Sequence, residues 1–390
     1  MPVAVARSYV GIAKESSRGT GVASTYYLKL ATNEPEDVPK WLPVNGLRGA
    51  MLETYGMVQG PRSTTYTIGG PAFADDMGWS LLGILGDVSA SSSRTVTDGV
   101  TNATTTVTSA TASFTSTDQW KNISGGSIPS GAFIVSVTNG TTVVISAAAT
   151  ASASGVSVTI GAPVTHAGNL LNSGTGQPTS QTLCNFYDVS QARQYAGIQW
   201  QEVELSFSFE GLLTYTAKAM GLVPSAQVSP PTQSFSAILP PPVWQGVAII
   251  GGTVVGKIGD GKVTLARKAE LVPGMTGSQQ YTQVFLGPLS AKYSFTAYID
   301  DDTEYNRMSN NTQPSVDLRW AAGTGASMTQ VGMHMTQVAY TKAKQSLGKA
   351  YVEIQVESEP IGNTTDVGSS GGFGLGSVTL GNNVASGTYI

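Results

Sequence analysis

The sequence predicts a mainly β protein: two tandem β-sandwich or barrel domains, each with a short flanking helix, and a small all-β domain inserted into the first. Three observations lead there. Of 390 residues only 12 % are charged while 46 are glycine, and serine and threonine crowd the rest, the balance of a turn-rich strand protein. A chain of this length outgrows a single core. Two segments then change composition abruptly and divide the chain.

Residues 1–92 and 161–220 make the first domain. Within it "LRGAMLETYGMVQGPRSTTYTIGG" reads as a strand, a Gly-Pro turn and a second strand, and "PAFADDMGWSLLGILGD" as a short amphipathic helix. In "EVELSFSFE", Val203, Leu205, Phe207 and Phe209 fall on one face of a strand, and Glu202, Glu204, Ser206, Ser208 and Glu210 on the other.

Residues 93–160 hold only four charged side chains, Arg94, Asp98, Asp118 and Lys121. Short β-branched runs such as "FIVSVT" and "TTVVIS" alternate there with turn formers, which marks an inserted all-β module, carried on a loop where insertion costs little.

Residues 221–244 contain six prolines and form an extended linker, because proline cannot donate to a sheet ladder. The second domain, 245–361, repeats the order of events of the first. "TVVGKIGDGKVTLARKAEL" reads as a hairpin around Gly259-Asp260-Gly261, "SAKYSFTAYI" as a strand and "DDDTEYNRMSN" as a short helix. In "YVEIQVESE", Val352, Ile354 and Val356 oppose Glu353, Gln355, Glu357 and Glu359. The last segment, 362–390, has eight glycines around the strand-like "FGLGSVTL" and reads as an arm that docks on a neighbouring subunit, or else as a frayed terminus.

The chemistry-bearing residues are sparse. A net charge of -4 and a pI near 5.3 argue against a protein that grips nucleic acid through its phosphates. Two histidines, His166 and His334, have no nucleophile beside them, and with the single Cys184 they cannot close a zinc site. No phosphate loop is present, so no cofactor or metal is expected. Scattered carboxylates leave a paired-carboxylate hydrolase open. The acidic run Asp300, Asp301, Asp302, Glu304 fails the EF-hand spacing, since position 6 is Tyr305 and position 12 is Asn311. It suits a helix start instead, with Asp302 or Thr303 as N-cap and Glu304 in the first turn, as Asp75 and Asp76 suit the helix of the first half. No stretch is apolar enough to cross a membrane as a helix, and no export signal is legible, so folding in the cytoplasm is expected.

With these elements placed, the sequence resembles the tail tube (major tail) proteins of long-tailed bacteriophages. The likeness rests on "ARSYVGIAKESSRGTGVA", "GLRGAMLETYGMVQGPRS", "FADDMGWSLLGILGD", "LLNSGTGQPTSQTLCNFYD", "ARQYAGIQWQEVELSFSFEGLLTYTAKA", "DDDTEYNRMSNNTQPSVDL" and "GKAYVEIQVESEPIGNTTD". It implies a non-enzymatic virion protein, assembled in the host cytoplasm into stacked rings whose strands join in one inner barrel. Through that barrel genomic DNA passes, and the tape-measure protein and other tail proteins are its partners. Two tube domains per chain imply a trimeric ring of pseudo-sixfold symmetry, and one would imply a hexamer. A lining that lets DNA slide must not collect phosphates, so Glu202, Glu204, Glu210, Glu353 and Glu357 are expected to face the lumen, with residues 93–160 outside. Another virion component, such as a tail-tip, terminator or adhesion protein, shares these features. So does, more distantly, a secreted carbohydrate-binding β protein.

Overall fold

The computed structural model describes residues 5–46, 48, 49, 51–187, 191–323 and 328–390. The chain opens with β1 (Tyr9–Lys14), β2 (Tyr26–Leu28), β3 (Thr32–Asn45) and β4 (Thr54–Pro71), then helix α1 (Met77–Leu85). A long strand β5 (Gly86–Asn102) leads out to β6 (Thr106–Thr108), β7 (Ile123–Ser124), β8 (Ile134–Asn139) and β9 (Thr142–Ile145), and β10 (Ser152–Leu170) leads back. The first half closes with β11 (Gln181–Phe186), β12 (Ala192–Ser208), β13 (Thr214–Gly221) and β14 (Pro224–Val228). The second half runs β15 (Gly246–Ile250), β16 (Thr253–Val254), β17 (Ile258–Val272), β18 (Gln283–Tyr298), α2 (Thr303–Ser309), β19 (Val316–Ala322), β20 (Thr329–Met335), β21 (Val338–Ser346), β22 (Glu353–Pro360) and β23 (Ser377–Asn382). The fold is mainly β.

Eight of these strands pair in the order β3-β4-β13-β12-β17-β18-β22-β21, every neighbour antiparallel. The first four belong to the first half and the last four to the second. In each run of four the order across the sheet is first, second, fourth, third, and in each a helix follows the second strand. Strand β12 is long enough to leave this sheet at its start, where it pairs with β11 and β14.

A second sheet runs β16-β15-β19-β20-β23-β10-β5 and on into the inserted strands. Helix α1 lies between the two sheets, against β12, β10 and β5, and all nine of its residues are buried. It is apolar on every side rather than amphipathic, as a helix covered on all faces must be. Gly78 and Gly83 allow the close approach: an added Cβ would meet the ring of Tyr389 at 2.3 Å and that of Trp200 at 2.7 Å. One apolar cluster, from Val10 and Trp79 through Trp200 to Tyr293, Trp320 and Tyr389, draws on both halves.

Several local expectations change. Gly60-Pro61 is not a turn but lies within the single strand β4, at a register shift opposite Pro39 and Trp41, because a bulge accommodates a residue that cannot donate. Gly259-Asp260-Gly261 likewise starts β17 and does not turn. An added Cβ on Gly261 would meet the Phe207 ring at 2.6 Å, so the glycine serves packing, and the hairpin turns instead between residues 272 and 283. Strands β5 and β10 both run through the expected limits of the insertion, residues 93 and 160, with a register shift between Ile160 and Val164 opposite Arg94 and Ser92. Beyond them a separate apolar cluster is built only from residues 96–160, among them Val107, Phe114, Ile123, Ile134 and Val158. His166 sits in β10, its Nε2 within 3.1 Å of the Val384 carbonyl. The glycine-rich arm docks on its own chain: β23 pairs with β20 on one side and β10 on the other.

Candidate functional site

The outer face of the eight-stranded sheet carries the polar residues of the alternating strands. On β12, Val203, Leu205 and Phe207 are buried, and Glu202, Glu204 and Ser206 point the other way. The register aligns Glu202 with Lys218, and Glu204 with Thr216 and Thr264. On β22, Glu357 lies between Ser294 and Lys342. Ion pairs join Glu202 to Lys218 at 2.7 Å, Glu204 to Lys262 at 3.1 Å, Glu353 to Lys349 at 2.7 Å, and Glu357 to Lys342. Hydrogen bonding to Glu202 raises the Lys218 ammonium above its usual range, and Lys342 lowers the Glu357 carboxyl.

The face is therefore charge-balanced and rich in hydroxyls, including Thr264, Ser294 and Thr296. It is not the plainly acidic surface that the glutamates alone suggested. The sequence showed the acids in alternation, but Lys218, Lys262 and Lys342 come from strands paired across the sheet, which spacing cannot reveal; only Lys349, four residues before Glu353 in the loop between β21 and β22, is a local partner. Glu210 and Phe209 lie past the end of β12, both exposed, so the alternation breaks before them.

The two acidic helix starts are used differently from expectation. Asp76 and Asp302 occupy the N-cap positions of α1 and α2, yet neither side chain makes a capping hydrogen bond. Asp76 accepts from the Lys29 amide at 2.7 Å and from the Tyr26 hydroxyl at 3.0 Å. Asp75 accepts from Tyr26 at 2.6 Å and from the Lys29 ammonium at 2.8 Å, and from the Ser236 hydroxyl of the proline-rich segment. Burial pushes the Asp76 carboxyl up to about 6 in spite of Lys29. In α2 it is Asp301 that receives the first helical amide, from Thr303 at 2.8 Å. Glu304 is buried and bonded to Arg307 at 2.7 Å and Tyr340 at 2.8 Å. Asp75, Asp76 and Glu304 thus hold distant segments together.

Among the described residues no group of three or more His, Cys, Asp or Glu is arranged to hold a metal. His334 Nδ1 lies 2.5 Å from Asp317 and Nε2 3.0 Å from Thr336. Its ring stacks on Trp120 of the inserted module, and Trp120 also covers the buried Arg319 guanidinium at 4.8 Å. The cluster seats the module on β19 and β20, helped by Gln330, whose side-chain amide donates to the Trp120 carbonyl at 2.7 Å.

The hairpin β3–β4 runs past the sheet, since β13 pairs with β4 only over residues 64–71. Its free part exposes Trp41, Leu42, Val44, Met51, Leu52, Met57 and Val58. The equivalent hairpin of the second half, β17–β18, touches it where the Arg62 amide donates to the Gln279 carbonyl at 2.9 Å. An apolar patch rimmed by polar residues on a projecting element marks a protein contact. A model of the phage tail tube protein family matches residues 5–369.

The chain belongs to that family. No curated protein matches it. Membership makes it a structural component of the virion tail, a family whose members assemble with further copies and other tail components. No helix of the described residues is long and apolar enough to cross a membrane. Sequence reasoning missed the hairpin patch and the two sheet edges. "TNEPEDVPKWLPVN" offered a signal, with prolines at 35, 39 and 43, always four apart and so on one side of a strand.

Proposed function

We propose that the chain is the wall subunit of a tail tube, three copies of which close their eight-stranded sheets into one barrel. The observation that carries this is the sheet itself, two runs of four strands in the same order, ending at unpaired edges β3 and β21. Because the eight strands alternate in direction, β3 and β21 run oppositely. Copies related by rotation then meet in antiparallel pairing without interruption. Three chains of eight strands make a barrel of 24. At a strand spacing of about 4.8 Å and a tilt of roughly 35–45°, its backbone diameter is about 45–50 Å. Duplex DNA passes such a bore, whereas six copies would double it.

The balanced face of Glu202, Glu204, Glu353 and Glu357 with their lysines lines this lumen. The ammoniums of Lys218, Lys262, Lys342 and Lys349 are already answered by carboxylates and offer little to a passing phosphate. Glu210 lies at the rim. Rings stack through the apolar end of the β3–β4 hairpin, and residues 93–160 project outward. The tape-measure protein occupies the bore before DNA does, and the chain has no catalytic task. Electron microscopy of the purified protein and mass measurement of a single solubilised ring test this. Hollow filaments built of three-copy rings are expected. A six-copy ring, or a ring with Glu202 and Glu357 on its outside, would overturn it.

A further inference from the structure

The two edges of the eight-stranded sheet are chemically unlike. Pro35, Pro39 and Pro43 pair with Tyr66, Arg62 and Met57 of β4. Lacking an N–H, each must sit where the backbone points away from β4. The outer edge of β3 is thus poor in donors, with amides left at Asn33, Asp37 and Trp41, alternating with the prolines. Strand β21 has no proline, and its outer edge keeps its donors.

The side chains on the lumen face differ in the same sense. Glu34 and Glu36 are exposed on β3, aligned with Thr67 and Thr65. Lys342 and Lys344 are exposed on β21, aligned with Glu357 and Gln355. Among the described residues, Glu34, Glu36 and Lys344 have no ion-pair partner within the chain.

We propose that β3 of one copy and β21 of the next form a single selective seam, with Glu34 opposite Lys344 and Glu36 opposite Lys342. One antiparallel register satisfies both pairs, because the residue numbers sum to the same value. The seam presupposes the closed sheet proposed above and adds what selects its partners. Two β3 edges would face each other with missing donors and like charges, and two β21 edges with like charges. Two-fold dimers are thereby disfavoured, and only the head-to-tail contact remains, the kind that closes into a ring.

Charge reversal tests the seam. E34K and K344E should each raise the protein concentration needed for rings about tenfold, as read by sedimentation, and the swapped double variant E34K/K344E should return it close to wild type. All four positions are exposed, so circular dichroism of each variant should match wild type. In parallel, E34C/K344C under mild oxidation should give covalent chains ending at three copies, with the buried Cys184 unreactive. If wild type forms rings but the single reversals do so equally well, or if E34C alone cross-links to itself, the seam is wrong while the tube stands. If wild type forms no rings, the tube reading fails first.

Discussion

Replacing Gly78 by alanine should destabilise the protein, although alanine is the better helix former. Gly78 lies inside α1, where the exchange alone would gain about 1 kcal/mol. The new methyl, however, meets the Tyr389 ring at 2.3 Å. That ring is wedged edge-on between Trp79 and His166, and its hydroxyl donates to the Asp75 carbonyl at 2.7 Å and accepts from Asn382 at 3.0 Å. The ring has to leave. Exposing a tyrosine that buries roughly 150–250 Å² costs about 4–6 kcal/mol at 25 cal/mol per Å², and the two hydrogen bonds add about 1 kcal/mol each before solvent replaces them. Rewetting and relaxation recover part of this. A net loss of about 3 kcal/mol is expected in urea unfolding of the unassembled chain. The decisive measurement is the double-mutant cycle. With Tyr389→Ala in place the slot is empty, and Gly78→Ala should stabilise by about 1 kcal/mol. If Gly78→Ala stabilises in the wild-type background as well, the account of the slot is refuted.

Arg267→Met should cost about 3 kcal/mol in the same unfolding assay. The buried guanidinium donates to the carbonyls of Gly287 at 2.8 Å, Gly176 at 3.1 Å and Ile84 at 3.2 Å, the last in the final turn of α1, and methionine would orphan all three. Asp76 makes stability depend on pH. Its folded value of about 6 lies above the ordinary carboxylate value, so its contribution is present at pH 4 and is lost as pH rises through 6. That amounts to about 3 kcal/mol, and Asp76→Asn should flatten this part of the stability profile. Replacing residues 93–163 by Asn-Gly joins Ser92 to Val164, which face each other across β5 and β10, through a tight turn. The shortened chain should fold and still form tubes by electron microscopy, because the removed cluster is built from its own residues.

What was legible in the sequence was local. Alternation in "EVELSFSFE" and "YVEIQVESE" marked β12 and β22 and their buried faces, since period two needs no knowledge of partners. The helices were legible from their acidic starts and apolar runs. What failed was each inference needing a long-range partner. Gly60-Pro61 and Gly259 to Gly261 looked like turns, but in long twisted strands the same residues make bulges and close packing. Asp75 and Asp76 looked like caps, but Tyr26, Lys29 and Ser236, the last 161 residues from Asp75, claim them. The glutamates of this face were named from alternation, while Lys218, Lys262 and Lys342, which balance three of them, arrive through pairing across the sheet.

The long hairpin of β5 and β10 has no counterpart between α2 and β19, where only a short loop connects helix to strand. In a ring of three, the bore would repeat six times per turn while the exterior repeats three times, each module standing above every second repeat unit. The outer wall then has broad bare lanes alternating with ridges. Images averaged on the rim and on the channel would report different rotational orders for one object, and ligands too bulky for adjacent modules would find three separated stations per ring.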